Sequence, residues 1–166
     1  MSKAESAYLK HHARLQDVIA AIQVMGTYRY SARSIESWSA LLGEKPQSAL
    51  TWLMVFNDHP EFFRAGIDED DLHTLAIRRA QPRLYDTKNH TAISPEAFAA
   101  LPKDGKSHIS RTPLSSGQIA SLVEIAVKLH AEAVTRKRES RWWVNIAIPA
   151  VSSLLGAVLG AYVSHK

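Results

Sequence analysis

The run Asp70-Asp71-Leu72-His73 carries the nearest approach to reactive chemistry in this 166-residue chain. Two carboxylates and an imidazole within four positions would suit a divalent cation if a turn brought them to one point. They belong, however, to the acidic run Asp68-Glu69-Asp70-Asp71, and such a run at a turn is ordinarily solvated, so no metal is expected there. The eight histidines, His11, His12, His59, His73, His90, His108, His130 and His165, share no ligand spacing on any one element. The chain has no cysteine, which excludes disulfides, thiolate nucleophiles and Cys-type zinc sites. It also lacks a Gly-rich phosphate loop, a Gly-x-Ser-x-Gly elbow and paired carboxylates in an apolar setting. The sequence therefore points to neither an enzyme nor a cofactor, and leaves binding as the class of function.

The net charge of +4 looks like a hint of nucleic acid until its position is considered. Acidic and basic residues are equal in number up to Thr135, so the whole excess lies in residues 136–166. A neutral folded part lacks the electrostatic term that supplies most non-specific affinity for phosphate backbones.

These residues must be positioned by a small, mainly helical unit. Ser2-Lys3-Ala4-Glu5 has the pattern of a capping box, and Leu15, Val18, Ile22 and Met25 recur at three and four, which predicts one long first helix ending at Gly26. A second helix is predicted from about Ser34 to Leu42, closed by Gly43. A third is predicted from Pro46, suited to a first helical turn, to Asn57. After Pro60 the runs Glu61–Ala65 and Leu72–Arg78, on either side of the acidic turn, predict a β-hairpin.

Three helices followed by a hairpin resemble the winged helix-turn-helix fold, and "SALTWLMVFNDHPEFFRAG" looks like its third helix entering the wing. The resemblance covers residues 1–90 and rests on element order. In that family the third helix reads the major groove with basic or amide side chains. Here Pro46 to Asn57 contains no Lys or Arg, only Gln47, Ser48, Thr51 and Asn57, and the wing tip is acidic. Arg78, Arg79 and Arg83 would form a basic edge on the hairpin. The balance favours a protein partner over DNA.

Residues 91–114 are expected to be a connector with one short helix starting at Ser94-Pro95-Glu96. Residues 115–141 open with a second capping box, Ser115-x-x-Gln118, and carry a heptad seam of Ile119, Leu122, Ala126, Leu129 and Ala133. That segment ends in a basic cluster, Arg136, Lys137, Arg138 and Arg141, followed by the interfacial aromatics Trp142 and Trp143.

From Trp142 to Val163 the chain runs about 22 residues without a charged side chain, enough at ~1.5 Å per residue to cross a hydrocarbon core of ~30 Å. With the basic cluster on the near side, a single-pass anchor holding the N-terminal domain in the cytoplasm is expected. Ser152, Gly156 and Gly160 make a small-residue face on which two such helices would pack. The fold class read here is thus mainly α with a small β-hairpin, a winged-helix-like domain followed by a long C-terminal helix that enters the membrane. The function read here is a membrane-anchored protein-interaction module whose partners are the lipid bilayer, a second copy of the chain and a cytoplasmic protein. A second reading is a membrane-perturbing effector like the small anchored proteins of bacterial toxin and phage-defence systems. A membrane-tethered DNA-binding regulator is a third.

Overall fold

The structure, a computed structural model, describes residues 6–65 and 71–139. A one-turn 3-10 helix (Ala7–Leu9) precedes α1 (Arg14–Thr27), β1 (Ala32–Ser34), α2 (Ile35–Leu42), α3 (Trp52–Asp58), β2 (Phe63–Ala65), β3 (Leu72–Leu75) and α4 (Ala76–Arg79). Then come β4 (Tyr85–Asp86), β5 (Thr91–Ala92), α5 (Pro95–Ala100), α6 (Lys103–Lys106), β6 (Ile109–Ser110) and a long helix α7 over 116–139. Helix dominates, with two small antiparallel sheets of strand order β1-β3-β2 and β5-β4-β6.

The first helix is shorter than its hydrophobic period suggests. Tyr8 is buried on the 3-10 turn, and the Ala13 amide donates to His11 Nδ1 at 3.1 Å, a local bond that competes with the helical ladder until Arg14. The capping box at Ser2–Glu5 lies outside the described residues. From Arg14 on, the apolar stripe behaves as expected: Val18, Ala21, Ile22 and Met25 are fully buried. Gly26 does not end the helix, which continues to Thr27. A Cβ at Gly26 would lie 3.2 Å from Ile119 Cγ1, so the glycine serves the close approach of α7.

Helix α2 matches its prediction at both ends. The Ser34 hydroxyl accepts from the Ser37 amide, and Gly43 leaves the helix with φ 89°, a conformation that costs other residues. Helix α3 does not match: it starts at Trp52, six residues after Pro46. The amides of Gln47 and Ser48, which a helix would have left to its first turn, donate instead to the buried Asp17 carboxylate at 3.1 and 2.7 Å. Arg14 donates to the Ser48 carbonyl at 3.2 Å, completing a clamp from α1. Charge-assisted bonds of this kind outweigh the helix preference of the segment. The actual N-cap is Thr51, whose hydroxyl accepts from Met54.

The hairpin forms, but β3 is its central strand, because β1 adds on its far side with Ala32 opposite Thr74. The Trp38 indole donates to the His73 carbonyl at 2.8 Å and fixes α2 on this sheet. Leu72–Arg78 is not one strand: after Leu75 the chain turns into α4. The expected connector is also more ordered than a linker. Tyr85 and Asp86 pair with both Ala92–Thr91 and Ser110–Ile109. The loop between β4 and β5 is held by Asp86, whose carboxylate accepts from the Lys88 and Asn89 amides, while His90 takes φ 56° to close it.

The core runs through α1, α2, α3 and sheet β1-β3-β2, and is closed by Leu114, Ala126 and Ala133 from the C-terminal segment. The capping box at its start is formed reciprocally: Gln118 N to Ser115 Oγ at 3.2 Å and Ser115 N to Gln118 Oε1 at 3.0 Å.

Candidate interaction surfaces

Helix α3 buries Trp52, Val55 and Phe56 and turns Thr51, Met54 and Asn57 outward. Leu50, just before its cap, is 78% exposed and Met54 is 46% exposed, a large cost in apolar surface for two neighbouring residues. Helix α3 itself carries no Lys or Arg, and the cations nearest to it, Lys10 and Arg14, pair with Asp58 at its last position. The shorter helix also removes Gln47 and Ser48 from this face.

The basic edge expected from Arg78, Arg79 and Arg83 is not arranged as one edge. Arg78 is fully buried and donates from Nη1 to the Met25, Tyr28 and Tyr30 carbonyls at 2.8, 2.6 and 3.2 Å, and from Nη2 to the Arg111 carbonyl at 2.8 Å. Burial pushes its pKa down to about 10, which leaves it charged at neutral pH. Arg78 is thus an internal tie, and Arg79 and Arg83 remain nearer the surface with Arg111 beside them.

All five seam residues turn toward the domain. Ala126 and Ala133 are buried in the core, with Ile119, Leu122 and Leu129 packed against it. Small side chains at 126 and 133 let the helix lie close. The exposed large apolar residues of α7 are Ile125 and Val127 instead. Where α7 meets α1, an open apolar groove is lined by Val24, Leu114, Ile119 and Val123.

At the far end of α7, Arg136 pairs with Glu132 at 3.4 Å, and Lys137 and Arg138 share the last turn. Arg141, Trp142, Trp143 and the packing residues Ser152, Gly156 and Gly160 lie outside the described residues, as does the whole 142–163 stretch. Among the described residues no helix is long and apolar enough to cross a membrane.

Of the candidate metal residues, His73 is buried with Nδ1 3.0 Å from the Asp71 carbonyl oxygen and 4.0 Å from Asp71 Oδ1, and Asp70 lies outside the described residues. Among the described residues no group of three His, Asp or Glu side chains would hold a metal ion.

A buried polar cluster escaped the sequence reading. His59, wholly buried after α3, bonds Glu61 Oε1 through Nδ1 at 2.9 Å, and its ring lies 4.4 Å from Tyr8, which in turn meets His130 of α7 edge-on at 5.9 Å. Tyr8 Oη, His59 Nε2 and His130 Nδ1 are buried without a hydrogen-bond partner among the described residues. Burial, and then the Glu61 charge, raises the Tyr8 hydroxyl above its ordinary range. Burial is the largest influence on Glu61 and acts to raise it, but the hydrogen bonds from His59 and from the Glu61 backbone amide, with the smaller contributions beside them, together hold the carboxyl below the usual range. The three rings come from positions 8, 59 and 130, a separation that no local spacing reveals.

No family model, no curated protein and no solved structure matches this chain.

Proposed function

We propose that the chain is a membrane-anchored protein-interaction module, its winged-helix-like domain held at the cytoplasmic face by the 142–163 segment. The order α1-β1-α2-α3-β2-β3 with sheet order β1-β3-β2 supports the winged-helix reading of residues 1–90. The observation that carries the functional reading is the outer face of α3. Where a DNA reader of this type needs several basic or amide side chains, Leu50 and Met54 stand exposed, and α3 itself offers no Lys or Arg and Asn57 as its one amide. An apolar, uncharged face suits a protein partner.

Self-association, on this reading, belongs to the tail. The seam of α7 is engaged within the chain, so Ser152, Gly156 and Gly160 are the residues left to bring two copies together.

A photo-crosslinker at position 54 of the full chain, expressed in cells, should join it to a specific protein, and Leu50→Asp should abolish that adduct without changing membrane fractionation. Replacing 142–163 by an unrelated Leu/Ala anchor should leave the adduct intact. An adduct that survives Leu50→Asp, or full-length chain in the soluble fraction without detergent, would overturn the reading.

A further inference from the structure

Three guanidinium groups are gathered on one patch around the buried Arg78. Arg79 follows it on α4 and makes no hydrogen bond or ion pair among the described residues. Arg111, just past β6, is tied through its own carbonyl to Arg78 and donates its guanidinium to the Gln81 carbonyl, which brings it against the end of α4. Arg83, in the loop between α4 and β4, donates to the carbonyls of Ile109 at 3.0 Å and Lys106 at 3.4 Å. The chain thus fixes two of the three cations, Arg83 and Arg111, by backbone carbonyls beside the unbonded Arg79, and no carboxylate among the described residues forms an ion pair with any of them.

The cations act on one another. Burial lowers the Arg111 pKa first, and the charges of Arg83 and Arg79 lower it further. Asp86 accepts from Lys88 and Asn89 and forms no ion pair with any of the three. Like charges held together cost stability unless an anion completes the site. A guanidinium presents a planar fork of donors that fits phosphate oxygens two at a time; the carbonyl bonds use only part of the forks of Arg83 and Arg111 and none of that of Arg79.

We propose that Arg79, Arg83 and Arg111 form a binding site for the phosphate groups of a soluble phosphorylated small molecule. Position separates this ligand from a lipid headgroup. Arg111 precedes α7, whereas the cluster Arg136–Arg138 that adjoins the proposed anchor lies at its far end, ~35 Å away along 24 helical residues. The site is independent of the α3 face and of any protein partner.

The test is calorimetric titration of the full chain in non-ionic detergent with sodium pyrophosphate, against sodium chloride at equal ionic strength. Saturable binding is expected, weakened about tenfold or more in Arg79→Gln, which removes no internal bond. Arg29→Gln, a change of equal charge at the exposed arginine over Tyr30, should leave it unaltered. Equal loss in both variants would reduce the effect to net charge and overturn the site. So would heat no different from chloride. In a second arm, flotation with phosphatidylcholine vesicles containing phosphatidic acid should be insensitive to Arg79→Gln. Vesicle binding that depends on Arg79 without any pyrophosphate binding would assign the patch to lipid and refute the soluble ligand.

Discussion

Replacing Arg78 by Met probes the tie that holds three chain segments together. The substitution keeps an unbranched apolar stem but removes every donor, so the carbonyls of Met25, Tyr28, Tyr30 and Arg111 lose one shared partner. Bonds to a charged donor contribute ~1.5–3 kcal/mol each, though not additively, and part is recovered because no guanidinium need then be buried. Breaking a buried charged network from one side ordinarily costs about 3–5 kcal/mol, and that is the loss expected here. Against a total of ~5–15 kcal/mol for a folded domain, it would leave a marginal protein. Arg78→Lys keeps the charge but offers three donors from one point, so it should fall between the two. Urea unfolding of the full chain in mild detergent, followed by the fluorescence of buried Trp38 and Trp52, measures all three forms. A loss under about 1 kcal/mol for Arg78→Met would refute the idea that this node organises the fold.

Ala126→Leu adds bulk at a wholly buried contact and should cost ~1–3 kcal/mol, with faster amide exchange along α7, whereas Ile125→Ser on its exposed side should change stability little. Because the Tyr8 pKa is raised on folding, the unfolded chain ionises first as pH passes ~10, and stability should fall from there as pH rises. Tyr8→Phe should flatten that alkaline loss in pH-dependent thermal melts; an unchanged slope would mean Tyr8 does not govern it. Ser115→Ala should cost ~1 kcal/mol by opening the reciprocal cap of α7, read by urea unfolding. If copies associate through the tail as proposed, Gly156→Ile with Gly160→Ile should abolish the cross-linking ladder of the chain in native membranes, and an unchanged ladder would refute that reading.

What was legible in the sequence was local. Ser34 and Gly43 bracket α2 because a hydroxyl cap and a left-handed exit act within a few residues, and Ser115 with Gln118 marks α7 for the same reason. The errors came from partners far along the chain. Asp17 draws residues 47 and 48 out of a helix that Pro46 seemed to begin, a bond across 30 residues. Gly26 reads as a terminator until Ile119 is seen against it. Strands of two or three residues, such as β1 and β4, are too short for alternation to show. The heptad period of 119–133 was real, but period alone does not say whether a seam meets a second copy or its own domain. Of the proposed phosphate patch, Arg79 and Arg83 stand together in the sequence; Arg111, the residue that completes it, lies within the segment read as a connector.

The close seating of α7 sets a mechanical boundary condition for whatever follows it. Its last buried contact is Ala133, so only six residues, ~9 Å of helix, project from the core to position 139. A load directed along the helix axis there would act on the contacts of Ile119, Ala126 and Ala133 together, in shear. The domain would therefore turn with the helix as one body, its α3 face held at a set bearing and height rather than sweeping a hemisphere. Inserting a flexible Gly-Ser stretch after residue 139 would release that bearing while leaving every internal contact in place.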